Sequence, residues 1–127
     1  MSEPEDPSIL VVEDDPRNMI LVRAILGRRR CRISTAECLA EARERISAAA
    51  PNLILLDVRL RDGSGLELAR ELKSDPSTWE IKLIAVSASV LPADQAAVEA
   101  AGCDAFIAKP LHPAELLEEI ARQLAAG

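Results

Sequence analysis

Aromatic residues are nearly missing from this chain. Tyrosine is absent, and Trp79 and Phe106 are the only large aromatic side chains among 127 residues, so the core must be aliphatic. Long apolar runs are missing as well: none approaches the roughly 18 residues of a membrane-spanning helix. No basic, then apolar, then small-residue signal opens the chain. Cys31, Cys38 and Cys103 are an odd, widely spaced set without a C-x-x-C. That pattern excludes a disulfide or zinc framework and implies reduced thiols in the cytosol, acting as core or surface fillers. His112 is the single histidine, so it cannot build a metal site. Positive charge is outnumbered, with 15 basic against 21 acidic residues and a net charge of −6, which argues against a nucleic-acid or anionic-membrane partner. What the chain does have is apolar mass. At 49% apolar it can bury a core, and its length suits one domain of about 100–200 residues. The expectation is a small, acidic, soluble, cytoplasmic domain.

Residues 1–8 are polar, with two prolines, and read as a flexible tail ahead of a single domain over 9–127. Short apolar runs at 9–12, 32–35, 53–56, 83–86 and 105–108 alternate with helical patterns near 16–28, 38–49, 65–74, 92–101 and 113–125. Several runs are continuously apolar, as expected for strands covered on both faces. Asp15 before Pro16 is an N-cap with proline at the first helical position. His112–Pro113 offers the last helix a weaker version. Gly27 and Gly102 stand where the first and fourth helices should stop. Five such units predict an α/β fold, a doubly wound parallel sheet with right-handed crossovers and helices on both faces.

In such sheets ligands bind beyond the carboxyl ends of the strands. Those ends carry Glu13-Asp14-Asp15, Asp57, Ser87 and Lys109-Pro110, whereas the opposite ends carry no comparable set. Clustered carboxylates raise one another's pKa unless a cation is shared, and one lysine is too few. A hard divalent ion such as Mg²⁺ suits oxygen ligands in an open site. Without Cys or His beside the acids, zinc is excluded. An Asp at a buried strand tip, near a metal and a lysine, is a candidate nucleophile for phosphoryl transfer. Alone, an acidic run is ordinarily a solvated surface and a strand-end Asp a turn former. The joint presence of Lys109 and Ser87 favours the chemical reading.

Four segments carry a family resemblance: 9–15 (ILVVEDD), 53–65 (LILLDVRLRDGSG), Val86-Ser87-Ala88 and Lys109-Pro110. Together they resemble the receiver domain of bacterial two-component response regulators, over essentially all the chain after residue 8. The likeness is greatest to stand-alone chemotaxis and cell-cycle regulators. It implies a flavodoxin-like receiver fold, a five-stranded sheet in the order 2-1-3-4-5 with five helices. It makes Asp57 the phosphoacceptor, served by a sensor histidine kinase or histidine phosphotransfer protein. It makes Asp14 a direct Mg²⁺ ligand, Glu13 a ligand through water, and the Arg59 carbonyl a third protein ligand. Lys109 would pair with the phosphoryl group, Ser87 would be the switch hydroxyl, Phe106 the switch aromatic, and Lys109–Pro110 a cis bond. Glu13 for a commoner Asp and Ser87 for a commoner Thr are chemically equivalent departures. Phe106 lacks a phenolic hydroxyl, and Arg61 replaces a frequent Pro, which leaves the turn after Asp57 less rigid. Arg59 and Ser89 flank the expected path of hydrolytic water, and neither is a good base, so a long-lived phosphoryl group is expected.

In the first helix Asn18, Leu21, Val22, Ile25 and Leu26 form a stripe that should face the sheet. Ile20 then points away from it with Met19 on its flank. These two residues, with Pro110 and Leu111 beside His112, are the expected docking patch for the phosphodonor. The alanine-rich fourth helix, Phe106 and the last helix are the expected switch surface toward a downstream protein. The resemblance leaves open a homodimer through the fourth helix, fifth strand and fifth helix. With no output domain attached, the chain is expected to signal by binding a partner. Three rivals stand beside this reading. An aspartate-nucleophile phosphohydrolase needs a second Asp two residues after the first, where this chain has Arg59. A flavodoxin-like carrier would not line a phosphate site with acids. A constitutive interaction module would leave Asp57 unused. Trp79 is expected to be a packing residue.

Overall fold

The computed structural model describes residues 4–126. The chain runs β1 (Ser8–Val12), α1 (Pro16–Leu26), β2 (Arg32–Ala36), α2 (Leu39–Ala48), β3 (Leu53–Asp57), β4 (Arg59–Leu60) and β5 (Gly63–Ser64). It continues through α3 (Gly65–Lys73), β6 (Lys82–Ser87), α4 (Pro92–Ala100), β7 (Ala105–Ala108) and α5 (Pro113–Ala125). Five strands form one parallel sheet in the order β2-β1-β3-β6-β7, the chain stepping one way from β1 to β2 and the other way from β3 through β6 to β7, so that the winding reverses once, between β1 and β3. That is the predicted order, once the small antiparallel β4–β5 hairpin is set aside.

Alternation along the strands divides the core into two layers. Leu10, Val12, Ile54, Leu56, Leu83 and Ala85 meet α2, α3 and Val98 of α4. Ile9, Val11, Leu53, Leu55, Ile84 and Val86 meet α1 and α5 on the other side. Every residue of β3 is buried, so truncating one of its leucines, such as Leu56, costs about 2–5 kcal/mol. The register then sets the site. Val12 pairs with Leu56, Asp57 with Val86, and Ser87 with Ala108. Glu13, Asp57, Ser87 and Lys109 therefore leave the sheet at one level.

Helix ends follow the local chemistry. Asp15 accepts the Arg17 amide at 2.8 Å with Pro16 at the first helical position. Ser64 caps α3 through the Leu66 amide at 3.1 Å. His112 supplies no side-chain cap. Gly102 takes the left-handed φ of 92° after α4, whereas Gly27 ends α1 in a right-handed conformation, φ −63°.

Several expectations need correction. Ser8 belongs to β1, tied by its amide to Asn52 Oδ1 at 2.8 Å. Within the expected tail, residues 1–3 lie outside the described residues, 4–6 are exposed, and Pro7 is buried, its carbonyl accepting the Arg32 amide at 2.8 Å. In α1 Leu21 is exposed while Met19 is half-buried against the core, so the packed stripe is Met19, Val22, Ile25 and Leu26. Trp79 is not a packing residue: it is 53% exposed. The hairpin at β4–β5 was not anticipated, because strands of two residues carry no readable period.

Candidate functional site

Lys109 is the centre of the strand-end cluster. Its Nζ lies 3.1 Å from Glu13 Oε1 and 3.1 Å from Asp57 Oδ2. The acids are deeply set, with side chains 5% and 8% exposed, and the lysine is 20% exposed. The remaining acceptors are used locally: Asp57 Oδ1 accepts the Arg59 amide at 3.2 Å and Glu13 Oε2 the Asp15 amide at 3.1 Å. Ser87, also buried, accepts the Ser89 amide on its Oγ at 3.1 Å, while its carbonyl accepts the Lys109 amide at 2.9 Å. The Lys109–Pro110 bond is cis.

One carboxylate oxygen each from Glu13, Asp14 and Asp57 lie within 4.8 Å of one another. Burial pushes the Glu13 carboxyl above its ordinary range; the Asp15 amide opposes this and the neighbouring Asp57 carboxyl adds to it. Burial acts to lower the Lys109 ammonium, yet Asp57 and Glu13 outweigh it and hold that group above an ordinary lysine. Lys109 thus pairs with two of three clustered carboxylates, an excess of negative charge that a divalent cation relieves. The donors are all oxygen, from few carboxylates in an open cleft, which fits Mg²⁺.

The cluster floors a cavity of about 390 Å³ that Asp14, Arg59 and Ser89 also line. Asn18 lines it too, although its position in the helical stripe had suggested a sheet-facing role, and Asp15 does so besides capping α1. Other expected residues lie apart. Phe106 is half-buried against the α2–α3–α4 layer, paired in register with Ala85. Ile20 is 69% exposed and Pro110 is exposed. Leu111 is buried in the α1–α5 layer, which corrects its placing on an accessible patch. Within α4 only Val98 is buried, as its alanine content led one to expect.

A family model, response regulator receiver domain, matches residues 9–121. The chain belongs to the response-regulator receiver family. It is 37% identical over 117 residues to the polar-differentiation response regulator DivK of Brucella ovis, covering 89% of this chain and 92% of that protein. A CheY-like receiver domain protein of Methanospirillum hungatei JF-1 superposes with a TM-score of 0.86 at 29% identity, over 94% of each chain. The receiver domain of sensor histidine kinase PA1611 from Pseudomonas aeruginosa PAO1 does so with a TM-score of 0.86 at 28% identity, over 94% of this chain and 98% of that one. That structure holds a magnesium ion coordinated in its active-site cleft. Receiver domains are signalling domains that accept a phosphoryl group, bind Mg²⁺ at an acidic pocket, and interact with histidine kinases or phosphotransfer proteins and downstream targets. Among the described residues no helix is long and apolar enough to cross a membrane.

Proposed function

We propose that this receiver takes its phosphoryl group on Asp57 and thereby changes which protein it binds. The observation that carries the reading is the buried Asp57 carboxylate with Lys109 Nζ at 3.1 Å, inside a cluster of three acids. A carboxylate oxygen of Asp57 forms a bond to phosphorus as the P–N bond of a phosphohistidine breaks, and its electron pair stays on the imidazole nitrogen. The donor is a sensor histidine kinase or a histidine phosphotransfer protein. Asp14 would hold Mg²⁺ directly, Glu13 through water, and Arg59 through its backbone carbonyl. When bound, the ion supplies positive charge beside the phosphoryl oxygens. Lys109 orients and neutralises one of those oxygens without giving up a proton, because its ammonium is held protonated. Ser87 turns its hydroxyl to donate to another.

That turn is the switch. The Ser87 Oγ now accepts the Ser89 amide, so a move toward phosphate re-arms the loop leading to α4, and half-buried Phe106 follows into the space. A helix that buries only Val98 shifts at little packing cost. The output surface is then α4, β7 and α5, open to a downstream partner or a second copy. Donor docking falls to Ile20 and Pro110, with Met19 and Leu111 shaping the ground beneath them. The Arg59 guanidinium two residues after Asp57 offers donors and no acceptor, so it cannot serve as a hydrolytic base. That disfavours a phosphohydrolase and supports a long-lived phosphoryl group in a cytoplasmic signalling protein. The test is incubation with acetyl phosphate, with Mg²⁺ or with chelator, followed by intact mass. One phosphoryl group is expected on the Mg²⁺-treated protein and none on Asp57→Asn. Equal uptake by Asp57→Asn would overturn the reading.

A further inference from the structure

The turn after Asp57 is the β4–β5 hairpin, where Arg59 pairs with Ser64 and Leu60 with Gly63. A hairpin with arms this short is not self-sustaining. Its base is part of the site: Arg59 lines the cavity and donates its amide to Asp57 Oδ1, and Ser64 caps α3. Its tip is tied elsewhere. Asp62 Oδ1 accepts the Leu39 amide at 2.8 Å and Oδ2 the Ala40 amide at 3.1 Å. These amides open α2, where the helix has no partner of its own to give them. The residue placed to cap them is Cys38, extended at φ −156° and ψ 172°, but its side chain makes no capping bond. Thiols are weak acceptors, so the cap of α2 comes instead from a residue 23 positions away. Gly63 brings the tip so close to α2 that a Cβ there would meet Leu39 Cδ1 at 3.0 Å. The Arg61–Glu37 pair at 3.8 Å is exposed and contributes little.

We propose that Asp62 is a positioning residue for the cation site: by clamping the hairpin to α2 it holds the Arg59 carbonyl where Mg²⁺ takes it. The proposal rests on the reading above that this carbonyl is a metal ligand. It also gives the turn a restraint that Arg61, standing where many family members have proline, does not provide. The clamp joins two consequences that can be separated experimentally. One is the stability of α2; the other is the placement of a backbone oxygen at the far end of a short hairpin. Serine at position 38 would cap α2 from within, since Ser is a strong N-cap and the backbone is already extended. It cannot replace the two bonds by which Asp62 holds the hairpin tip to α2.

The experiment measures Mg²⁺ affinity by titration calorimetry, and stability by urea unfolding, on the intact unphosphorylated chain. The proteins are wild type, Asp62→Ala, Asp62→Asn and the double variant Cys38→Ser/Asp62→Ala. Outer partners of metal ligands change affinity by about 10–100-fold, and Asp62→Ala is expected to weaken Mg²⁺ binding within that range. Asp62→Asn, which keeps one acceptor, is expected to fall between it and wild type. The double variant is expected to regain the urea midpoint while Mg²⁺ binding stays weak. Phosphoryl uptake from acetyl phosphate at saturating Mg²⁺ is expected to survive in every variant. Unchanged Mg²⁺ affinity in Asp62→Ala would overturn the proposal, as would recovery of affinity together with stability in the double variant. Wild type that binds no Mg²⁺ would instead overturn the metal-site reading beneath it. Should Asp62→Ala not fold, the double variant and Asp62→Asn carry the same comparison.

Discussion

Gly65 opens α3 directly against the backbone of Asp57, and a methyl group there has no room. A Cβ on Gly65 would stand 2.3 Å from the Asp57 carbonyl oxygen, 3.2 Å from its carbon and 3.0 Å from Leu56 Cγ. Ordinary contact begins at 3.4 Å, so Gly65→Ala requires the two backbones to part by about 1.1 Å. Neither yields easily. Asp57 closes a fully buried strand hydrogen-bonded on both sides, and the first turn of α3 is pinned by the Ser64 cap and by the Gly65 amide on the Val58 carbonyl at 2.8 Å. Overpacking of this kind costs about 1–3 kcal/mol. The helix-propensity gain of alanine over glycine is about 1 kcal/mol in a helix interior and smaller at the first position, so a net loss remains. A misplacement near 1 Å at a reacting group lowers rate by about 100-fold. Urea unfolding should therefore show a loss of about 1–3 kcal/mol. Acetyl phosphate at saturating Mg²⁺ should label Asp57 at about one hundredth of the wild-type rate. A variant with wild-type midpoint and wild-type labelling would refute the claim that close packing of α3 on β3 aligns the acceptor.

Lys109→Met leaves Glu13 and Asp57 buried without their cation and should cost about 3–5 kcal/mol near neutral pH. Because the folded-state pKa of Lys109 is raised, that contribution is fully present below its unfolded value of 10.5 and is lost as pH rises through the higher folded value. Urea melts of both proteins on either side of this window check it; a gap that persists unchanged at the highest pH would contradict it. Cys103 is held by burial, with Asp104 adding, at a pKa of about 11 instead of 9.0. At pH 8 its alkylation, followed by peptide mass, should be about 100-fold slower in the folded protein than in urea, and equal rates would contradict the assignment. Ile20→Glu should impair phosphotransfer from the protein donor and spare acetyl phosphate; equal loss with both would remove the docking role of this exposed residue.

Much of this architecture is legible in the chain because buried parallel strands write continuous apolar runs, and 53–56 is the clearest. The strand-end residues follow from those runs, so the places of Glu13, Asp57, Ser87 and Lys109 are legible with them. Asp15 with Pro16 is legible for the same local reason. Other features depend on contacts that no local pattern records. The face of α1 turns toward Met19 instead of Leu21, because Asn18 sits at the wet rim of the cavity and not on the sheet. Trp79 reads as a core residue by type and yet is exposed in the connection ahead of β6. Asp62 lies 23 residues from Leu39, and nothing near it in sequence announces that its carboxylate closes the helix begun there. Ser8 joins β1 because Asn52, distant in the chain, gives its amide a partner.

The central claim is that Asp57, and no other acid of the cluster, carries the phosphoryl group. Borohydride reduces an acyl phosphate to the corresponding alcohol, so treating the phosphorylated protein and mapping its peptides reads the site directly. The account predicts homoserine at position 57 and unmodified Glu13 and Asp14. Reduction at either of those residues, or none at position 57 in protein whose mass shows the phosphoryl group, would contradict it.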